Sequence, residues 1–81
     1  MIQQDIRRVL QTHGRTTVAI EALRDDDNLF SAGLTSLASV DVLMALEETF
    51  GVEFPDHMMQ RKTFESIAAI AAAIETLKSQ E

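Results

Sequence analysis

Apolar residues recur at helical spacing in three stretches of the chain, and the segments between them break that period. Ile2, Ile6, Val9 and Leu10 are separated by Gln, Asp and Arg, which predicts a helix from about Ile2 to His13 with Gly14 as its C′ residue. His13 falls in the last predicted turn, where a cation interacts favourably with the helix dipole. From Arg15 to Thr35 no period is sustained, and Val18, Ile20, Leu23, Leu29, Phe30 and Leu34 are scattered along it. So long a stretch in a small domain predicts a loop draped over the helices and pinned by those side chains. A second helix is predicted from Ser36 to about Phe50, with Gly51 at its C′ position. Val52 to Pro55 is expected to be extended, because a proline disfavours the helical region for the residue before it. Asp56 to Gln60 has room only for a short helix or turn. The last helix is expected to begin after Thr63 as N-cap and to run through Phe64, Ile67, Ile70, Ala71, Ile74 and Leu77. The elements predict an all-α fold, a small four-helix bundle of three main helices plus one short helix, with a long first loop.

The second helix has a pattern the others lack. At roughly 100° per residue, Val42, Leu43, Leu46 and Phe50 form one apolar face that can pack on the bundle. Leu37, Val40 and Met44 fall on the opposite side, bordered by Asp41, Glu47 and Glu48. A helix apolar on two sides is either deeply buried or offers one side to a partner. Glu47 and Glu48 also stand near the helix C-terminus, where the dipole disfavours anions, so a docking face is the better reading of this stripe.

Composition narrows the choice. The 81 residues predict a single domain spanning 1–81, and a chain of this size buries only about 60% of its unfolded surface, too little for a roomy enzyme cleft. Lys and Arg total 7 against 13 Asp and Glu, a net charge of −6, which opposes nucleic acid and anionic membranes and favours basic partner surfaces. Without any Cys, neither a disulfide nor a Cys-based metal site can form, and a thiol needed for function must come from a cofactor. The first residues have no apolar signal region and the longest apolar run, Ile67 to Ile74, is too short to span a bilayer, so a soluble, monomeric, cytoplasmic protein is expected.

Chemistry-bearing residues are few. Asp25-Asp26-Asp27-Asn28 invites a calcium reading, but an EF-hand loop beginning at Asp25 would place Phe30 where glycine is needed and Ser36 where glutamate is needed. A solvated acidic turn fits better, and no metal site is predicted. Ser36 is not in a Gly-x-Ser-x-Gly elbow and no base is brought to it by the predicted layout, so a hydrolase has little support. Met58 and Met59 suit the core, or a pliant wall, and core is favoured. Arg61-Lys62 is taken as a solubility feature. What Ser36 does have is a predicted helix N-terminus, where unpaired N–H groups and the dipole favour a covalently attached anion. The plain alternative is an N-cap, the commonest use of serine there.

The run Phe30-Ser-Ala-Gly-Leu-Thr-Ser36-Leu37, followed by Leu43-Met-Ala-Leu-Glu-Glu-Thr-Phe50 and Glu53-Phe54-Pro55, resembles the centre of acyl carrier proteins and peptidyl carrier domains. In that family the serine of a Gly-Leu-Asp-Ser-Leu motif carries 4′-phosphopantetheine, and it falls on Ser36; Thr35 stands where Asp is usual. The resemblance implies an acyl-carrier-type bundle and partner contacts at Leu37, Val40, Asp41, Met44, Glu47 and Glu48. Gly33-Leu-Thr-Ser-Leu-Ala-Ser-Val40, Glu53-Phe-Pro-Asp56 and Arg61-Lys-Thr-Phe-Glu-Ser-Ile67 are most similar to the small aminoacyl carrier proteins, in which Thr or Ser before the modified serine is usual. That likeness implies a carrier, not an enzyme. A phosphopantetheinyl transferase would attach the arm, and an ATP-dependent amino acid ligase would load glycine or alanine on it as a thioester. A downstream transferase would then collect the cargo. The alternatives are a carrier of fatty or polyketide acyl chains and an arm-free helical adaptor.

Overall fold

The N-terminal amphipathic stretch forms α1 (Ile2–Val9) in the computed structural model, which describes residues 2–79. Leu10–Gly14 continues it as a wider π turn, and Arg15, with φ 52°, takes the left-handed conformation that ends the helix. The expected terminus therefore moves by one residue. A π turn holds an extra residue, so Gly14 stays inside the last turn, buried beside Leu10 and Leu34, and Arg15 becomes the C-cap.

The two other main helices are α2 (Ser36–Phe50) and α3 (Ile67–Ser79), and there are no strands among the described residues. α1 packs on α3, and the π turn packs on α2. Ile6, Leu10, Val42, Leu46, Ile70 and Ile74 meet in the centre, fully or almost fully buried. Each such side chain contributes about 1.5–3 kcal/mol by leaving water. Gly51, with φ 65°, closes α2 as predicted, its N–H donating to the Glu47 carbonyl. Lys78 Nζ donates to the Phe50 carbonyl at 3.2 Å, tying the end of α3 to the end of α2.

The single short helix expected near Asp56–Gln60 is replaced by two 3₁₀ turns, Asp56–Met58 and Arg61–Phe64. Between them they drive Phe54 and Phe64 into the core, ring centroids 5.8 Å apart. Met58 packs against the core, whereas Met59 remains exposed, so only one of the pair fills the role expected of both. α3 starts three residues later than the sequence suggests. The long loop takes the backbone groups an earlier start would need: Leu29 N–H donates to the Glu65 carbonyl at 2.7 Å, and Ala68 N–H to the Asp25 carbonyl at 2.8 Å. Ser66 Oγ, rather than Thr63, then accepts from the Ala69 N–H at 3.0 Å.

The loop from Arg15 to Thr35 is draped as expected, with Ile20, Leu29, Ala32 and Leu34 buried and Val18 left outside. Its acidic turn is engaged in structural bonds. Arg7 bridges Asp25 Oδ1 (2.7 Å) and the Ile20 carbonyl (2.8 Å), Asp27 accepts from the Arg24 N–H, and Asn28 Oδ1 accepts from the Ser31 N–H. The two ends of the loop cross where the Thr17 N–H and hydroxyl both donate to the Ala32 carbonyl, at 2.9 and 3.0 Å. Gly33, at φ 110°, makes the crossing possible, because a Cβ there would lie 2.6 Å from the Thr17 nitrogen.

Gly33→Ala combines a backbone conformation closed to L-residues with a backbone clash, and should destabilise the fold by about 1–3 kcal/mol. Urea unfolding measures it. A change under about 0.5 kcal/mol, the level of an ordinary surface substitution, would show that the crossing is not held this tightly.

Candidate functional site

The turn that follows the crossing sets the start of α2. Gly33 N–H donates to the Phe30 carbonyl and Leu34 N–H to the Leu29 carbonyl, so Leu34 points inward and the next residue, Thr35, is extended at φ −101°, ψ 164°. Thr35 Oγ1 accepts from the Ala38 N–H at 3.0 Å, which makes Thr35 the N-cap. Ser36 is consequently the first helical residue. The cap reading of this serine is thereby corrected: the hydroxyl beside it does that work.

Ser36 is exposed and its hydroxyl makes no hydrogen bond with any described residue. The N–H groups of Ser36 and Leu37 also lack an acceptor among the described residues, since Ala38 is served by Thr35 Oγ1 and Ser39 by the Thr35 carbonyl. An accessible hydroxyl, two open donors and the positive end of a fifteen-residue helix therefore coincide. This fits a phosphoryl group esterified to Ser36.

Beside Ser36 runs a groove of about 370 Å³, walled by Phe30, Val40, Leu43, Met59, Arg61 and Phe64 among others. The wall is mainly apolar. Arg61 lays its guanidinium over the Phe30 ring, 4.0 Å from the centroid, a cation–π contact that fixes its position at the rim. Sequence reasoning missed this role. Arg61 and Phe30 are far apart along the chain, and only the placement of the Arg61–Phe64 turn against the loop brings them together.

The proposed docking residues divide. Leu37, Val40 and Met44 are 81%, 53% and 63% exposed, and they share the side of α2 that carries Ser36. Asp41 and Glu48 are exposed on the same side, Asp41 with a loose ion pair to Arg15 at 3.9 Å. Glu47 differs. It is half-buried, and its carboxylate accepts from the Phe54 N–H at 2.8 Å, so it holds the extended link after α2. The helical period sets Glu47 nearer the core side than Glu48, but only the return of the chain at Phe54 supplies its partner. No described helix is long and apolar enough to cross a membrane, and no group of three or more His, Asp or Glu side chains suited to a metal ion occurs among the described residues.

Comparison with known proteins agrees with the geometry. The family described as a phosphopantetheine attachment site matches residues 4–74. An aminoacyl carrier protein of Agrobacterium fabrum is 38% identical over 72 residues, 89% of this chain and 87% of that protein. A D-alanyl carrier protein of Lactobacillus acidophilus is 34% identical over 56 residues, 68% of this chain and 71% of its own. Among solved structures, a similar chain belongs to an engineered Bradyrhizobium japonicum glycine:[carrier protein] ligase complexed with a carrier protein from Agrobacterium tumefaciens and ATP. The match has a TM-score of 0.91 and 36% identity, covering 94% of this chain and 99% of that one. A solution structure from Agrobacterium tumefaciens matches with a TM-score of 0.77 and 35% identity, over 95% of this chain and 93% of that one.

The roles of Thr35 and Ser36 can be separated by stability. Thr35→Ala should cost about 0.5–2 kcal/mol, whereas Ser36→Ala should stay within about 0.5 kcal/mol; equal costs in urea unfolding would return the cap to Ser36. Glu47→Gln keeps an acceptor for the Phe54 N–H, but Glu47→Ala leaves that half-buried donor unpaired and should cost about 1–3 kcal/mol. Glu48→Ala, with no such bond, should be near neutral. If both alanine variants melt alike, Glu47 belongs with the free acids.

Proposed function

We propose, from the premise that the chain belongs to the phosphopantetheine attachment-site family of carrier proteins, that Ser36 is the residue bearing the arm and that the cargo is a small amino acid, glycine or alanine. The observation that carries the assignment is the unengaged Ser36 hydroxyl at the first position of α2, released from capping by Thr35. The family carries 4′-phosphopantetheine, whose chemical contribution is a terminal thiol able to hold an acyl group as a thioester. This chain, without cysteine, has no thiol of its own.

The protein's own part is to bind and to orient. The open N–H groups of Ser36 and Leu37 and the helix dipole hold the negative phosphodiester at the surface. The rigid helix start keeps the attachment point within reach of successive enzymes. Leu37, Val40 and Met44 offer the apolar contact for those enzymes, and Asp41 and Glu48 the charge, on the side of α2 that also displays Ser36. Glu47 supports that surface from behind by anchoring Phe54. Contacts of exposed charges are weak and salt-sensitive, which suits a carrier that must leave each partner.

The amino acid reading draws support from the aminoacyl carrier relative and from the similar chain whose complex contains a glycine ligase. An ATP-dependent ligase of that class would load the carrier, a phosphopantetheinyl transferase would precede it, and a further transferase would unload it. The chain itself performs none of these reactions. A cytoplasmic site of action follows from partners that use coenzyme A and ATP.

Incubation with coenzyme A, magnesium and a broad-specificity phosphopantetheinyl transferase should add the mass of one phosphopantetheine group to the wild type and nothing to Ser36→Ala. The product, offered glycine, alanine or a fatty acid with the corresponding ATP-dependent ligase, should accept the amino acids. Met44→Glu should slow that loading about fivefold or more, since buried contact residues typically cost about 1 kcal/mol or more when removed. Modification of Ser36→Ala, or loading by the fatty acid alone, would overturn the respective assignment.

A further inference from the structure

Two arginines flank the start of α2, and they are not equivalent. Arg15 stands on one side, in a hollow shared with Thr35, Leu37 and Asp41, and its guanidinium faces the Asp41 carboxylate at 3.9 Å. Arg61 stands on the other side, at the rim of the apolar groove that Ser36 also lines. It takes part in none of the ion pairs among the described residues, which are Arg7 with Asp25, Arg8 with Asp5 and Arg15 with Asp41. Arg24, Lys62 and Lys78 are likewise outside those pairs, but of these cations only Arg61 lines the groove that Ser36 lines.

Its position is also restrained. The guanidinium lies over Phe30 at 4.0 Å, and Phe30 belongs to the turn whose carbonyl accepts from Gly33 and so leads directly to Thr35 and Ser36. The guanidinium carbon lies over the ring, and its N–H groups donate to no described residue. Its N–H edge is left for an acceptor, and a planar fork of this kind suits phosphate oxygens. A phosphodiester at Ser36 would bring a negative charge to a helix that already carries Asp41, Glu47 and Glu48, so a nearby cation would offset repulsion as well as orient the group.

We propose that Arg61 is the side-chain counter-charge for the phosphodiester on Ser36, and that this contact directs the first atoms of the arm along the groove side of α2 rather than toward Arg15. The inference rests on Ser36 being the attachment residue. It assigns Arg61 a part in binding the arm, where sequence alone suggested only solubility.

The test uses the full chain, apo and phosphopantetheinylated, with the mass gain verified first. The Arg61 Nε–H resonance should move on attachment of the arm while that of Arg15 stays in place. The shift should fade between about 0.01 M and about 1 M salt, as the screening length falls from about 30 to about 3 Å. The ³¹P signal of the phosphodiester should change in Arg61→Ala and in Arg61→Gln but not in Arg15→Ala, with each variant's amide spectrum confirming the fold. Arg61→Lys, which keeps the charge, should retain the salt-dependent part of the ³¹P shift. An Arg61 resonance identical in the two forms, or a ³¹P signal that does not distinguish Arg61→Ala from wild type, overturns the proposal and leaves Ser36 as the attachment site. Failure of the wild type to gain the mass overturns the attachment reading and the proposal together.

Discussion

The crossing of Thr17 over Ala32 and Gly33 is the constraint on which the rest of this small protein depends. Two donors of one residue meet a single carbonyl, at a separation that excludes even a methyl group from Gly33. Once the chain is locked there, the following turn has one way to bury Leu29 and Leu34, and Thr35 is left extended at the boundary of α2. The helix therefore begins at a fixed residue instead of fraying. A surface serine placed one residue further along would face differently, because each helical step turns the side chain by about 100°.

Thr35 accounts for the departure from the aspartate usual before the modified serine in this family. Thr and Asp both supply a side-chain oxygen to a first-turn N–H. The neutral hydroxyl, however, adds no negative charge next to Ser36, so the helix end keeps more of its positive potential. α2 then divides its circumference between two tasks. Val42 and Leu46 are sealed in the core, while Leu37 and Met44 stand in solvent on the same helix. A uniformly amphipathic helix would have only the first of these faces.

The sequence reveals the three main helices, the draped loop and the exposed stripe because each follows from local periodicity or from a glycine at a helix end. It conceals whatever is decided by distant parts of the chain. The late start of α3 depends on Leu29 and Asp25 taking backbone partners at Glu65 and Ala68. The different fates of Glu47 and Glu48 depend on where Phe54 returns, and the place of Arg61 depends on Phe30. Gly14 misleads for another reason: glycine commonly ends helices, but a π turn carried this one inside. At the site, the position of Ser36 was legible, whereas its freedom from capping required knowing which of two adjacent hydroxyls meets the Ala38 N–H.

The bonds from Leu29 to Glu65 and from Ala68 to Asp25 also order events during synthesis. A ribosome delivers Ser36 well before it delivers Glu65, and the loop ahead of the serine has two of its backbone anchors in the later segment. Until about Ala68 has emerged, the serine sits on a nascent chain whose loop cannot close and whose α1 lacks the α3 surface it packs against. The assembled face of α2 therefore exists only once the segment through Ala68 has been made. A chain ending before Glu65 would present Ser36 without that frame.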